Sequence, residues 1–374
     1  MFLTALATFA FSFSPSYPLL VVCWASSRFV QSQIWTNLVV IVGETNPTNR
    51  GSAVAILSQS FLVGDALAKL VLGAVASTLS WRGVSAMGGF VLLSVTTFVS
   101  IYLSPVKISI PSITSTNNSL SRSLKVRLTC LAHMPAFWCV CFANGGTNFV
   151  REVFRDWCPL LLVDLSSVST SQAAMLGTVP SISGAAAVLS IGFLSDKCTH
   201  RGGLLVIFMG LSIACLLCLA FSARSAQPLT FTLFLIAGSS LLSGPYSVLT
   251  TCSLDCCSPN NNDIIPLFQV NSSEGSTSQL TNYSRVPFNL FPLTSLVQGL
   301  QDGTGYFFAA TSGVLVGESL EQTGWSDALF NITGFAVVAL FACAAYWREE
   351  VKRTRRDGIS DLEMTEVIEK REFL

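Results

Sequence analysis

The chain has 374 residues, 51% of them hydrophobic and only 11% charged, well under the roughly 25% with which a soluble domain covers its surface. A formal net charge of zero argues against a nucleic-acid partner, which would need a basic face, and a mean hydropathy of +0.59 points to a lipid environment. The twelve cysteines lie mostly inside apolar runs without regular spacing, which is not the pattern of a secreted disulfide framework.

Crossing the hydrocarbon core takes ~20 apolar residues. Ten segments qualify: 1–17, which is short, then 18–42, 52–78, 83–104, 135–163, 171–195, 203–223, 228–253, 299–320 and 325–347. Pro18, Pro135 and Pro228 open three of them, where a missing N–H costs nothing. The expected fold is therefore an all-α membrane protein of ten transmembrane helices. Four of these (1–104) precede a Ser/Asn-rich basic link (105–134). Six follow (135–347), interrupted by a polar insert (256–297) that reads as disordered, and the chain closes on a charged tail (348–374).

Ionised side chains inside such segments cost at least ~2.5 kcal/mol each, so they normally mark a cavity or a relay. In the second segment Arg28 shares a face with Gln31 and Trp35; it is expected to line a cavity, to snorkel, or to pair with Asp65. In the third, Asp65 and Lys69 are four residues apart and neutralise each other or serve a substrate or a proton. The fifth carries Asn144, Asn148, Arg151 and Arg155 at helical spacing on one face, with Arg151 about 24 Å along its helix at ~1.5 Å per residue. A guanidinium is a planar fork matched to two phosphate oxygens, so Arg151 is a candidate anion-binding group. The alternative is a structural Arg paired with Glu152 or Asp156. In the eighth segment Ser239, Ser243, Tyr246 and Thr250 form a mildly polar face, suited to sugar hydroxyls or to helix packing. Two histidines, and no nucleophile or metal-ligand constellation, argue against an enzyme, and no cofactor is expected.

Basic residues set the orientation. With Met1 on the cytoplasmic side, that side holds Arg50, Lys107, Arg122, Lys125, Arg127, Lys197, Arg201, Arg285 and the tail, while the opposite side holds Arg82 and Arg224. Both termini are thus expected to be cytoplasmic.

The sixth segment closes on Gly192-Phe193-Leu194-Ser195-Asp196-Lys197-Cys198-Thr199-His200-Arg201. This run resembles the second-half copy of the G-x-L-x-D-[RK]-x-x-x-R signature of the major facilitator superfamily, which implies gating or structural roles for Asp196, Lys197 and Arg201. Arg151-Glu152-Val153-Phe154-Arg155-Asp156-Trp157-Cys158-Pro159 is similar to a segment of the organophosphate–inorganic phosphate antiporter family. So are Gly244-Pro245-Tyr246 with Thr250-Thr251, Asp302-Gly303-Thr304-Gly305, Trp81-Arg82, and Arg28 with Gln31, Ser32 and Trp35. The resemblance implies an alternating-access antiporter that exchanges a phosphorylated small molecule, glycerol 3-phosphate or a hexose phosphate, for inorganic phosphate. It implies phosphate binding by Arg151, with Asn144, Asn148, Trp35 and Arg28 shaping the pocket. Such carriers have twelve helices in two pseudo-symmetric halves. The four-plus-six pattern is that of a chain without the first two, one of which supplies a partner Arg; the alternatives are a non-transporting fragment or splice product of such a carrier, and a facilitator for a non-phosphorylated solute. The bacterial members' His in the third segment has no counterpart among Ser58-Gln59-Ser60-Phe61.

Overall fold

The computed structural model describes residues 1–46, 48–75, 78–102, 129, 131–166, 168–225, 228–256 and 291–372, and every regular element among them is helical. The elements are α1 (Phe2–Phe13), α2 (Tyr17–Thr45), α3 (Arg50–Val75), α4 (Trp81–Tyr102), α5 (Pro135–Ser166), α6 (Thr170–Leu176), α7 (Thr178–Lys197), α8 (Arg201–Ser225), α9 (Pro228–Asp255), α10 (Phe291–Gln322) and α11 (Trp325–Glu372). The sixth expected segment comprises α6 and α7, which meet at Gly177. Ser169 opens α6 with a capping box, accepting from Gln172 N while the Gln172 side chain accepts from Ser169 N. The ten expected segments therefore map onto these eleven helices.

Among the described residues, six helical stretches are long and apolar enough to cross a membrane by length and composition. Helix α4 shows why lipid is needed. Its one buried residue is Gly89, against Phe9 of α1, while Phe90, Val91, Phe98 and Ile101 point outward. Water would not tolerate that apolar surface, and hydrocarbon does.

Two boundaries differ from expectation. Helix α10 begins at Phe291, so the last seven residues assigned to the polar insert are helical, because Thr294 and Val297 are buried in the bundle. Residues 257–290 of the insert, and residues 105–128 and 130 of the central link, lie outside the described residues. The tail from Arg348 onward continues α11 without a break, and Glu350 within it packs on α8. At the turn between α10 and α11, Gly324 takes φ +85°, a left-handed conformation that only glycine adopts without cost.

The largest core lies among α5, α8, α9, α10 and α11, where Phe149 stacks on Phe335 at 3.9 Å between ring centroids. The N-terminal helices join it chiefly through α3, which lies along α7. Gly51 and Gly192 face each other there. A Cβ on Gly192 would collide with Ala55, and one on Gly51 with Ser195 and Asp196, so glycine permits the close approach.

Candidate functional site

Arg151 sits on α5 where that helix faces α3 and α9. Its side chain is nearly buried, with Cζ 3.9 Å from the centroid of the Tyr246 ring of α9 and 5.6 Å from that of Phe61 of α3. Nη2 donates to Asn148 Oδ1 at 3.0 Å and to Glu152 Oε1 at 3.0 Å. Nε is buried without a partner among the described residues. Glu152 also pairs with Arg155, which reaches Asp156 Oδ1 at 3.1 Å. Both readings of Arg151 therefore have a footing: one edge of the fork is occupied by Glu152, and Nε is left over.

The polar face of α5 divides into two. Asn144 donates to the Gln301 carbonyl of α10 at 2.9 Å, and Asn148 donates to Asn144 Oδ1 at 3.2 Å. These amides are buried and form a ladder that holds Arg151 from behind. Arg151 and Arg155 instead line a cavity of about 50 Å³, together with Phe61, Asp65, Lys69, Ser181 and Ser243. That is room for a few waters or one small anion. Asp65 pairs with Lys69 at 2.8 Å and accepts from Ser181 Oγ of α7 at 2.5 Å. Lys69, Arg151 and Arg155 against Asp65 and Glu152 leave one excess positive charge among the mostly buried side chains here; Asp156 is more than half exposed and screened. The wall of the cavity thus comes from α3, α5, α7 and α9, spanning both parts of the chain.

The other expected pocket residues stand apart from this cavity. Arg28 is exposed and stacks over Trp24 of its own helix at 5.5 Å, so it does not pair with Asp65. Trp35 packs against the small cluster of Val39, Val40, Val54 and Leu254, with Nε1 buried and unpartnered. Gln59, in the neighbourhood that lacks the His, donates to the Ala185 carbonyl of α7 at 2.9 Å.

A second constellation closes one end of the bundle. Asp196, at the end of α7, accepts from Gly51 N at 2.8 Å, Ser52 N at 2.7 Å and Ser52 Oγ at 2.6 Å. Its carboxylate thereby satisfies the orphan donors and positive dipole end of α3. Arg201 reaches Asp196 at 3.2 Å and pairs also with Asp255 of α9. Arg50 pairs with Asp255 at 2.9 Å and donates through Nε to the Gly43 carbonyl of α2. Glu350 of α11 accepts from Arg201 N and Gly202 N at 2.9 and 2.8 Å, capping α8. Lys197 is exposed beside this network. Asp255 and Glu350 carried no signal in the sequence, because their partners lie dozens of residues away.

The Major Facilitator Superfamily model matches residues 1–264. The chain belongs to that superfamily. Its similarity to named relatives is low: 23% identity over 212 residues with glucose-6-phosphate exchanger SLC37A2 of Mus musculus, covering 56% of this chain and 36% of that protein. A putative glycerol-3-phosphate transporter 5 of Arabidopsis thaliana is 25% identical over 211 residues, covering 55% and 36%. A probable hexose phosphate transport protein of Chlamydia trachomatis is 22% identical over 242 residues, covering 58% and 53%. The matched stretches thus span a third to a half of the relatives' length, and these relatives match the organophosphate–phosphate antiporter family that the sequence resembles. Among solved structures, an inward-facing, occupied bacterial homologue of the human lysosomal transporter Spinster aligns over 96% of this chain and 83% of its own, with TM-score 0.56 and 15% identity, a likeness of fold. The chain is a multi-pass membrane protein of that superfamily.

Proposed function

We propose that this carrier exchanges a phosphorylated small molecule, of the glycerol 3-phosphate or hexose phosphate class, for inorganic phosphate by alternating access. Arg151 carries the reading: a buried guanidinium between the two parts of the chain, braced by Asn148 and Tyr246, with Nε unpartnered beside a cavity of net positive charge. Lys69 and Arg155 add to the field there, and Asn144 and Asn148 hold the Arg side chain in place. An unfilled cationic site resists closure, because the excess charge would be buried without compensation. An anion supplies that compensation on both the outward and the return stroke, which favours exchange over uncoupled flux. The Asp196–Arg201–Asp255–Arg50 network is the gate that must part on one side, the cytoplasmic side by the distribution of basic residues, with both termini on that side.

The test is labelled phosphate uptake into proteoliposomes preloaded with phosphate, glycerol 3-phosphate or glucose 6-phosphate. Uptake that depends on an internal organic phosphate or phosphate supports the reading. Uptake of a non-phosphorylated sugar that phosphate fails to compete would replace it with a facilitator of another specificity. The absence of any flux would favour a non-transporting role.

A further inference from the structure

A buried carboxyl outside the cavity takes no part in that reading. Asp302 lies ~17 Å along α10, at about 1.5 Å per residue, and is 7% exposed. Its Oδ1 accepts from Gln298 Nε2 at 3.2 Å and its Oδ2 from Thr36 Oγ1 of α2 at 3.4 Å. Among the described residues no Lys or Arg forms an ion pair with it, whereas Asp65 and Glu152 each have a cation in contact. The ionisable groups that face it are Arg151 and Cys141 from α5, Tyr246 from α9 and Tyr306 from α10 itself. Helix α2 presents Thr36, and α11 places no ionisable group within electrostatic reach among the described residues. Arg151 is already engaged by Glu152 and the Tyr246 ring.

Two further observations mark the spot. Gln301, the preceding residue, is fully buried with both side-chain polar atoms unpartnered among the described residues, and Trp35, beside Thr36, has its Nε1 in the same condition. These groups are the unpaired donors and acceptors that a proton path through water requires. Asp302 is also wired to the closed end. Ser253 Oγ of α9 donates to Gln298 Oε1 at 2.9 Å, and Ser253 stands two residues before Asp255, which ties Arg50 and Arg201.

We propose that Asp302 is a proton-binding site that couples solute movement to a proton. Two long bonds from neutral donors are poor compensation for a charge at this depth, and with no cation in contact a proton is what neutralises the acid. The bond from Thr36 crosses from α2 to α10, so parting these helices admits water, which stabilises the carboxylate and releases the proton. One O–H bond forms on loading and breaks on release. The inference rests on the carrier reading only for its transport consequence.

The experiment is a pH-difference infrared spectrum of the full chain in lipid, read in the C=O stretching region of protonated carboxyls, with exchange measured across the same pH range. Wild type should show a titrating band that Asp302→Asn lacks, and exchange that changes by up to about tenfold per pH unit for one proton, flattened below about twofold in the variant. Superimposable difference spectra for wild type and Asp302→Asn would overturn the proposal. So would a carboxyl band that responds to sodium and not to pH. Should Asp302→Asn not fold, Thr36→Val keeps the acid and removes its cross-helix donor; the band must then move, and a titrating band that stays put rejects the assignment. A wild type with an Asp302-dependent band but no phosphate exchange at any pH would uphold the proton site and sink the phosphate reading instead.

Discussion

Replacing Asp196 by Asn is the sharpest test of the closed end. The carboxylate receives two backbone N–H groups of α3 and the Ser52 hydroxyl, and it faces Arg201. Asn has almost the same shape, but its amide carbonyl serves one backbone donor while its NH2 confronts the other. The variant thus loses one charge-assisted bond, about 1.5–3 kcal/mol, and the charge–dipole interaction with α3, about 0.3–1 kcal/mol. The Asp196 side chain is only 8% exposed, so solvent does not screen this away. A local loss of about 3 kcal/mol corresponds to on the order of a hundredfold in an opening equilibrium. Hydrogen exchange followed by mass spectrometry on the peptide beginning at Arg50 should therefore accelerate by about that factor. The amides of Arg201 and Gly202, held by Glu350, should change far less and serve as the internal control. Exchange at Gly51 and Ser52 within twofold of wild type would refute the claim that Asp196 holds α3 at this end.

Other outcomes follow from single contacts. Arg151→Lys keeps the charge and loses the planar fork, so phosphate exchange should fall at least about tenfold with the fold intact; wild-type rates would remove Arg151 from the binding role. Gly192→Val drives a side chain into Ala55 and should separate α3 from α7, costing about 1–3 kcal/mol and lowering the thermal-unfolding midpoint, where an unchanged midpoint would contradict the close approach. Phe149→Ala removes a ring stacked on Phe335 in the main core and should cost about 3–5 kcal/mol in the same assay, with a loss below about 1 kcal/mol arguing against that packing. Glu350→Ala uncaps α8 and should destabilise it by about 1 kcal/mol, visible as faster exchange at Arg201 and Gly202 and not at Gly51.

Hydropathy and spacing alone determined the all-α membrane architecture and the helical face of Asn144, Asn148, Arg151 and Arg155. These are local properties: a helix in lipid must satisfy its own backbone, so twenty apolar residues in a row leave few alternatives. The i,i+4 pair of Asp65 and Lys69 was legible for the same reason. What that pair and Arg151 face was not. The ring of Tyr246 under Arg151, the separation of Asn144 and Asn148 from the cavity, and the exposure of Arg28 depend on which helices meet, and helix pairing in lipid is chosen by small-residue contacts that many sequences share. Asp302 makes the distinction plain. Its place in a helix was readable, and a short resemblance drew attention to it. That it lies buried, with a neutral donor arriving from Thr36 of α2, follows only from the packing of residues 266 positions apart.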